Sequence, residues 1–287
     1  MKRLFQMLVL VLPLAASAQV VKLEGAKVHQ YKQVGEAKLF LHAFNPKGHK
    51  ASDRRPAIVF FFGGGWNGGT PKQFDPHCRY LASRGMVAIT AEYRVKSRNK
   101  TTPFECVKDG KSAIRWVREN AGKLGVDAKR VAAGGGSAGG HVAAATGNCP
   151  GLEEEGENLK VSSKPNALVL FNPVYDNSSK GWGHIRVKSR WKEISPMHNI
   201  RKGAPATIVF LGTKDKLIPV STAQEYKKRL VAVGSRSVLH LYEGAAHGFF
   251  NKGRKGNAYP DTVIKMDDFL NSLGWLKGES TIKKESK

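Results

Sequence analysis

A chain of 287 residues is long enough for one large α/β domain and too short for two comfortable ones. With 41% hydrophobic and 24% charged residues, its composition excludes a disordered or fibrous protein. Lys and Arg (47) outnumber Asp and Glu (23), giving +24 at pH 7, a balance that favours acidic partners and bears on solubility and association rather than on fold.

In chain order, residues 1–18 come first and differ in kind. Lys2 and Arg3 precede an apolar run at 4–14, and Ala16-Ser17-Ala18 follows as a small-residue cleavage pattern. This is the layout of a secretory signal peptide, with cleavage expected after Ala18. The apolar run is too short to span a bilayer. No cysteine follows the cleavage site to carry a lipid, and no other segment reads as a membrane span. The expected product is soluble, secreted or periplasmic, and without Lys2 and Arg3 it carries +22. Its basic residues are scattered, with a modest cluster at Lys277, Lys283, Lys284 and Lys287. No nucleic-acid-reading motif accompanies them, so nucleic acid is not an expected partner. A solvated basic surface is the plain reading, and binding of an acidic or sulfated polysaccharide the more specific one.

Strands are expected at 27–32 and 37–44, then a polar break at 45–55. Ala57-Ile-Val-Phe-Phe-Phe62 is a continuous apolar run, the pattern of a strand covered on both faces. Strands and helices then alternate. Helices are read at 73–84, 104–121, 138–146, 221–233 and 261–273, and strands at 86–91, 130–133, 167–171, 206–211 and 237–242. Such alternation implies a mostly parallel sheet with helices on both faces. The acidic stretch 150–163 reads as a surface loop. Residues 175–203, carrying Trp182, His184 and Trp191, form an irregular insertion between two core strands, where a lid could lie. Residues 277–287 read as a frayed basic tail. Cys78, Cys106 and Cys149 allow at most one disulfide and match neither a zinc site nor a CxxC motif, so they are read as small buried side chains. Neither a metal nor a cofactor is expected.

The chemistry gathers at four places. Gly135, Ser137 and Gly139 form G-x-S-x-G between a strand and an Ala-rich helix. A serine on so sharp a turn holds its hydroxyl above the sheet, and flanking glycines remove the Cβ atoms that would clash. An acid and then a histidine should follow, each in a loop beyond a strand. Asp215 follows the strand at 206–211 and His247 follows the strand at 237–242. Asp176, beyond the strand at 167–171, is a rival acid, and His240 a rival base lying inside its strand. In these roles His247 takes the proton of Ser137, while Asp215 fixes the tautomer and stabilises the imidazolium. An oxyanion hole needs backbone N–H groups. Gly63-Gly64-Gly65-Trp66 lies on the loop that supplies one, so Gly64, Gly65 and Ala138 are the expected donors.

Phe62-Gly-Gly-Gly-Trp66, Gly135-Gly-Ser-Ala-Gly-Gly-His141, Gly212-Thr-Lys-Asp215 and Ala246-His-Gly-Phe249, in that order, resemble the α/β-hydrolase superfamily. Within it the chain is most similar to the hormone-sensitive-lipase-like and bacterial acetyl-xylan-esterase-like carboxylesterases, over roughly residues 55–275. The resemblance implies an α/β-hydrolase fold with a short lid-like insertion, in a single domain at 19–276. One departure stands out: relatives commonly begin the oxyanion motif with His, and here Phe62 takes that place. The backbone donors are unaffected, but other contacts must brace the loop. Tyr93-Arg94, Arg115-Trp116 and Ser195-Pro196 also resemble these relatives and are read as scaffold.

The resemblance implies hydrolysis of carboxylic esters through an acyl-enzyme on Ser137. Small esters or acetylated polysaccharide are the expected substrates, with acidic glycans suited to the basic surface. The alternatives are a lipase-like esterase for longer acyl chains, a serine peptidase of the prolyl-oligopeptidase kind and a non-enzymatic adhesion module. The peptidase lacks room here for its N-terminal propeller, and adhesion modules usually lose a triad member.

Overall fold

In the computed structural model, residues 21–282 are described. The expected leader at 1–18 and the last five residues of the basic tail lie outside them.

Eight strands form one sheet: β1 (Lys27–Val34), β2 (Ala37–Phe44), β3 (Arg55–Phe61), β4 (Val87–Ala91), β5 (Val126–Gly136), β6 (Ala167–Phe171), β7 (Ala206–Gly212) and β8 (Ser237–Tyr242). Their order is β1-β2-β4-β3-β5-β6-β7-β8. The first two pairings are antiparallel and the other five parallel. The helices are α1 (Asp75–Ser83), α2 (Lys96–Asn99), α3 (Pro103–Glu119), α4 (Ala138–Asn148), α5 (His184–Val187), α6 (Trp191–Ile194), α7 (Val220–Ala232) and α8 (Tyr259–Ser272). Among the described residues, no helix is long and apolar enough to cross a membrane.

The central strands are apolar on both faces because both faces are covered. Successive residues point to opposite sides, so Val59 and Phe61 of β3 join α3, α4 and α7 in one core, while Ile58 and Phe60 join α1 and α8 in the other. Helix α3 starts at a capping box. Glu105 accepts from the Thr102 N–H at 2.7 Å, and the Thr102 hydroxyl accepts from the Phe104 N–H, with Pro103 at the first helical position.

Three elements differ from the sequence reading. Strand β5 extends well beyond 130–133, because the polar residues Asp127, Lys129 and Arg130 sit in its irregular first half. The insertion at 175–203 contains the short helices α5 and α6 rather than irregular chain alone. The acidic loop at 150–163 lies at the surface as expected, but Glu153, Glu154 and Glu157 turn inward while Glu155 stays exposed. Glu154 pairs with Lys32 (2.6 Å) and Arg94 (2.8 Å), Asp109 pairs with the same two cations, and Glu153 and Glu157 hold Lys111 and Arg115. Arg94 and Arg115 are thus scaffold in a specific sense: they anchor that loop to α3 and to the segment after β4, while Lys32 ties it to β1. All three cysteines are buried and free.

Two buried histidines make the fold sensitive to acid. His77 of α1 sits among Phe60, Phe74, Phe171, Phe250 and Tyr259, with neither ring nitrogen hydrogen-bonded. Burial pushes it down to about 3 and pushes His141 of α4 down to about 4. In the unfolded chain both take up a proton near pH ~6.5. Below that pH the unfolded state binds more protons, so their contribution is intact above pH ~6.5 and drains as the pH falls towards the folded values. At about pH 5 each should cost on the order of 2 kcal/mol. Calorimetry should therefore show Tm falling by roughly 10 °C between about pH 7.5 and about pH 5. His77→Phe should remove about half of that fall; an undiminished fall in this variant would rule His77 out as a cause.

Candidate active site

The site begins with backbone strain. Ser137, between β5 and α4, has φ 54° and ψ −120°, a conformation costly for a residue with a Cβ. Its N–H donates to the Phe171 carbonyl of β6 (3.0 Å), and its carbonyl accepts from the His141 (2.9 Å) and Val174 (3.3 Å) N–H groups. The bend closes only because its flanks are glycine. A Cβ on Gly135 would strike the Gly139 carbonyl, and one on Gly139 would strike the carbonyls of Phe61 and Phe62.

The strand ends bring three side chains together. His247 Nε2 lies 2.9 Å from Ser137 Oγ, and His247 Nδ1 lies 2.7 Å from Asp215 Oδ2. The other Asp215 oxygen accepts from the N–H groups of Leu217 (2.8 Å) and Ile218 (3.1 Å), so the fully buried carboxylate is oriented from both sides. An anionic Asp215 keeps the proton on Nδ1 and leaves Nε2 free to accept from the serine hydroxyl. The rivals lie elsewhere. Asp176 accepts from the Ser178 N–H and lies 3.8 Å from His198, while His240 stacks on Phe210 within the sheet.

The loop after β3 carries the glycines. Gly64 (φ 124°) and Gly65 (φ 62°) line the cleft above Ser137, and a Cβ on Gly64 would strike the Gly68 carbonyl. Among the described residues, the N–H groups of Gly64, Gly65 and Ala138 engage no acceptor. The Gly63 N–H is already engaged, donating to Gln73 Oε1 at 2.6 Å. Gln73 in turn donates to Asn251 Oδ1 (3.0 Å), and Asn251 donates to the Gly248 carbonyl (2.8 Å). A side-chain relay thus joins the glycine loop to the loop bearing His247. Phe62 is held separately: its ring stacks on Tyr93 at 4.2 Å, and its carbonyl accepts from the Tyr93 hydroxyl at 2.6 Å. These contacts are the brace that the Phe62 departure demanded, and they give Tyr93 a definite task.

Gln73, Asn251 and Asn172 are site residues that the sequence reading missed. Asn172, buried at φ 34° just past β6, accepts from the Gly248 N–H (3.0 Å) and places its amide 3.4 Å from His247 Nε2. Its only sequence signal is its place at a strand tip, in Phe171-Asn172-Pro173. Gln73 sits in a short turn before α1 and carries no motif.

The insertion packs on the same glycine loop. Trp182 lies against Trp66 with ring centres 5.1 Å apart, and the Arg186 guanidinium covers both rings and donates to the Gly65 carbonyl. Beneath, His141 meets the Trp66 ring edge-on and bonds Asn177 and the Ile194 carbonyl, while the Ser195 hydroxyl accepts from the Asn177 N–H. Trp182 therefore forms one wall of a cleft of about 310 Å³ that holds Ser137, Asn172, Gln73 and His247. Among the described residues no group of His, Cys, Asp and Glu is placed to hold a metal.

Known proteins share this fold. The chain is 46% identical to esterase 2 of Thermogutta terrifontis, phosphorylated by paraoxon in one solved structure, with a TM-score of 0.86 over 90% of this chain and 98% of that one. It resembles the propionate-bound form of that enzyme equally well, at 46% identity and TM-score 0.86 over 89% of this chain and 97% of that one. Esterase LipC of Mycobacterium tuberculosis is 30% identical over 219 residues, 68% of this chain and 53% of LipC. The chain thus spans about half the length of the curated relatives it matches. Residues 41–230 match the BD-FAE family. The chain belongs to the BD-FAE family and, within the α/β-hydrolase superfamily, to the hormone-sensitive-lipase-like carboxylesterases.

Proposed function

We propose that this protein hydrolyses carboxylic esters through an acyl-enzyme on Ser137. The observation that carries the reading is the unbroken chain from Asp215 through His247 to Ser137, with links of 2.7 and 2.9 Å. Ser137 Oγ attacks the ester carbonyl carbon as His247 Nε2 takes its proton, and Asp215 stabilises the imidazolium. The new oxyanion takes hydrogen bonds from Gly64, Gly65 and Ala138, whose N–H groups are free and, in the strained turn and braced loop, already fixed. His247 then protonates the departing alcohol. Water, deprotonated by the same imidazole, attacks the acyl carbon, releases the acid and restores Ser137. Side chains and backbone supply every group these steps need.

The finer reading is deacetylation of a polysaccharide by an exported enzyme. Export rests on the sequence of residues 1–18 alone. The saccharide suits Trp182 at the wall of the cleft and the cationic surface.

Three measurements test the acyl-enzyme reading. Ser137→Ala should abolish turnover of 4-nitrophenyl acetate with an unchanged circular dichroism spectrum, and paraoxon should phosphorylate the wild-type serine stoichiometrically; turnover by the variant would refute the nucleophile. Asp215→Asn should lower kcat by about 10⁴ through the wrong tautomer, whereas Asp176→Asn should change it less than about twofold. Gln73→Ala frees the Gly63 N–H and cuts the relay to Asn251. It should lower kcat roughly tenfold with little change in KM, because a loosened oxyanion hole acts in the transition state. An unchanged kcat would assign the brace to Tyr93 alone.

A further inference from the structure

The catalytic cleft opens past His247 into a second depression of about 500 Å³. His247 and Arg254 line both, so Arg254 stands where one runs into the other. The turn that carries it is pinned by its own N–H, which donates to the Asn251 carbonyl at 3.2 Å, and Asn251 belongs to the relay described above. The guanidinium itself makes no ion pair or hydrogen bond among the described residues. None of the residues lining the catalytic cleft is acidic. Asp215 is buried behind His247, and the second depression adds one carboxylate, Glu243, and one further cation, Lys255. An unpaired cation therefore faces the place where the substrate must lie.

The reaction indicates which part of the ester reaches it. His247 Nε2 must deliver a proton to the departing oxygen, so the alcohol occupies the His247 side of the reacting carbon. The oxyanion occupies the side of Gly64 and Gly65. A depression that continues from His247 is thus the alcohol's path, and a planar guanidinium fork beside it matches a carboxylate or a sulfate.

We propose that Arg254 determines specificity by binding an anionic group, carboxylate or sulfate, on the alcohol portion of the ester, as an acidic saccharide would present. This rests on the ester-hydrolase reading above. Because the guanidinium is exposed, the gain is modest, about tenfold in kcat/KM and mostly in KM.

The test compares 4-acetoxybenzoate, 4-acetoxybenzenesulfonate and the neutral methyl 4-acetoxybenzoate, each rate divided by that ester's own alkaline hydrolysis rate. The wild type should prefer one or both anions about tenfold, and the preference should shrink as NaCl is raised. Preference for the sulfonate alone assigns the subsite to sulfate, and for the benzoate alone to carboxylate. Arg254→Gln should abolish the preference and leave the neutral ester unchanged, while Arg254→Lys should keep part of it. Normal turnover of the neutral ester with the same preference in wild type and Arg254→Gln, or with none in wild type, overturns the subsite and leaves the hydrolase reading standing. Failure of the wild type to cleave any of the three overturns the hydrolase reading and the subsite with it.

Discussion

Everything at this site depends on holding one serine in a backbone conformation it would not choose. Ser137 at φ 54° costs on the order of 1–3 kcal/mol. The surroundings hold it there by a hydrogen bond to β6 and by glycines that let α4 approach the carbonyls at the end of β3. The parallel sheet makes this possible, because β3, β5 and β6 are neighbours and end together. A strand order that separated them would leave the turn without its partners.

From that fixed point the site is assembled by cross-links between loops. Asp215 orients His247, Asn172 bonds the residue after it, and Gln73 with Asn251 joins the His247 loop to the glycine loop. The insertion closes the remaining side through Trp182 and Arg186. In the proposed reaction, groups that act together on one carbonyl are thus spaced by side chains that take no part in the chemistry. That division separates positioning from reactivity, and it explains how Phe62 stands where relatives commonly carry His.

How much of this could be read from the sequence follows from the range of each interaction. The meeting of Ser137, Asp215 and His247 was legible because each sits at a strand end in a fixed chain order, and local pattern marks strand ends well. Some strands were legible for the same reason, since β6 and β8 coincide with the segments read at 167–171 and 237–242. Gln73 and Asn251 were not legible: they meet across 178 residues of chain, and neither has a neighbour that marks it. The loop at 150–163 was read correctly as a surface loop, but its ion pairs were not legible. Its composition suits water, but its partners, Lys32, Arg94, Lys111 and Arg115, are buried cations that only the tertiary fold brings beneath it.

That network sets Lys32, Arg94, Lys108, Lys111 and Arg115 against Asp109, Glu153, Glu154 and Glu157. Four carboxylates are thereby withdrawn from the exterior without altering the net charge of +24. Among the described residues, the cations left exposed therefore have fewer compensating anions beside them than the composition suggests. Like-charged molecules then hold one another apart in dilute salt, and at physiological ionic strength the repulsion reaches only about 8 Å. The crowding behaviour of this protein is thus governed by the salt around it, through a surface loop whose paired carboxylates turn towards buried cations.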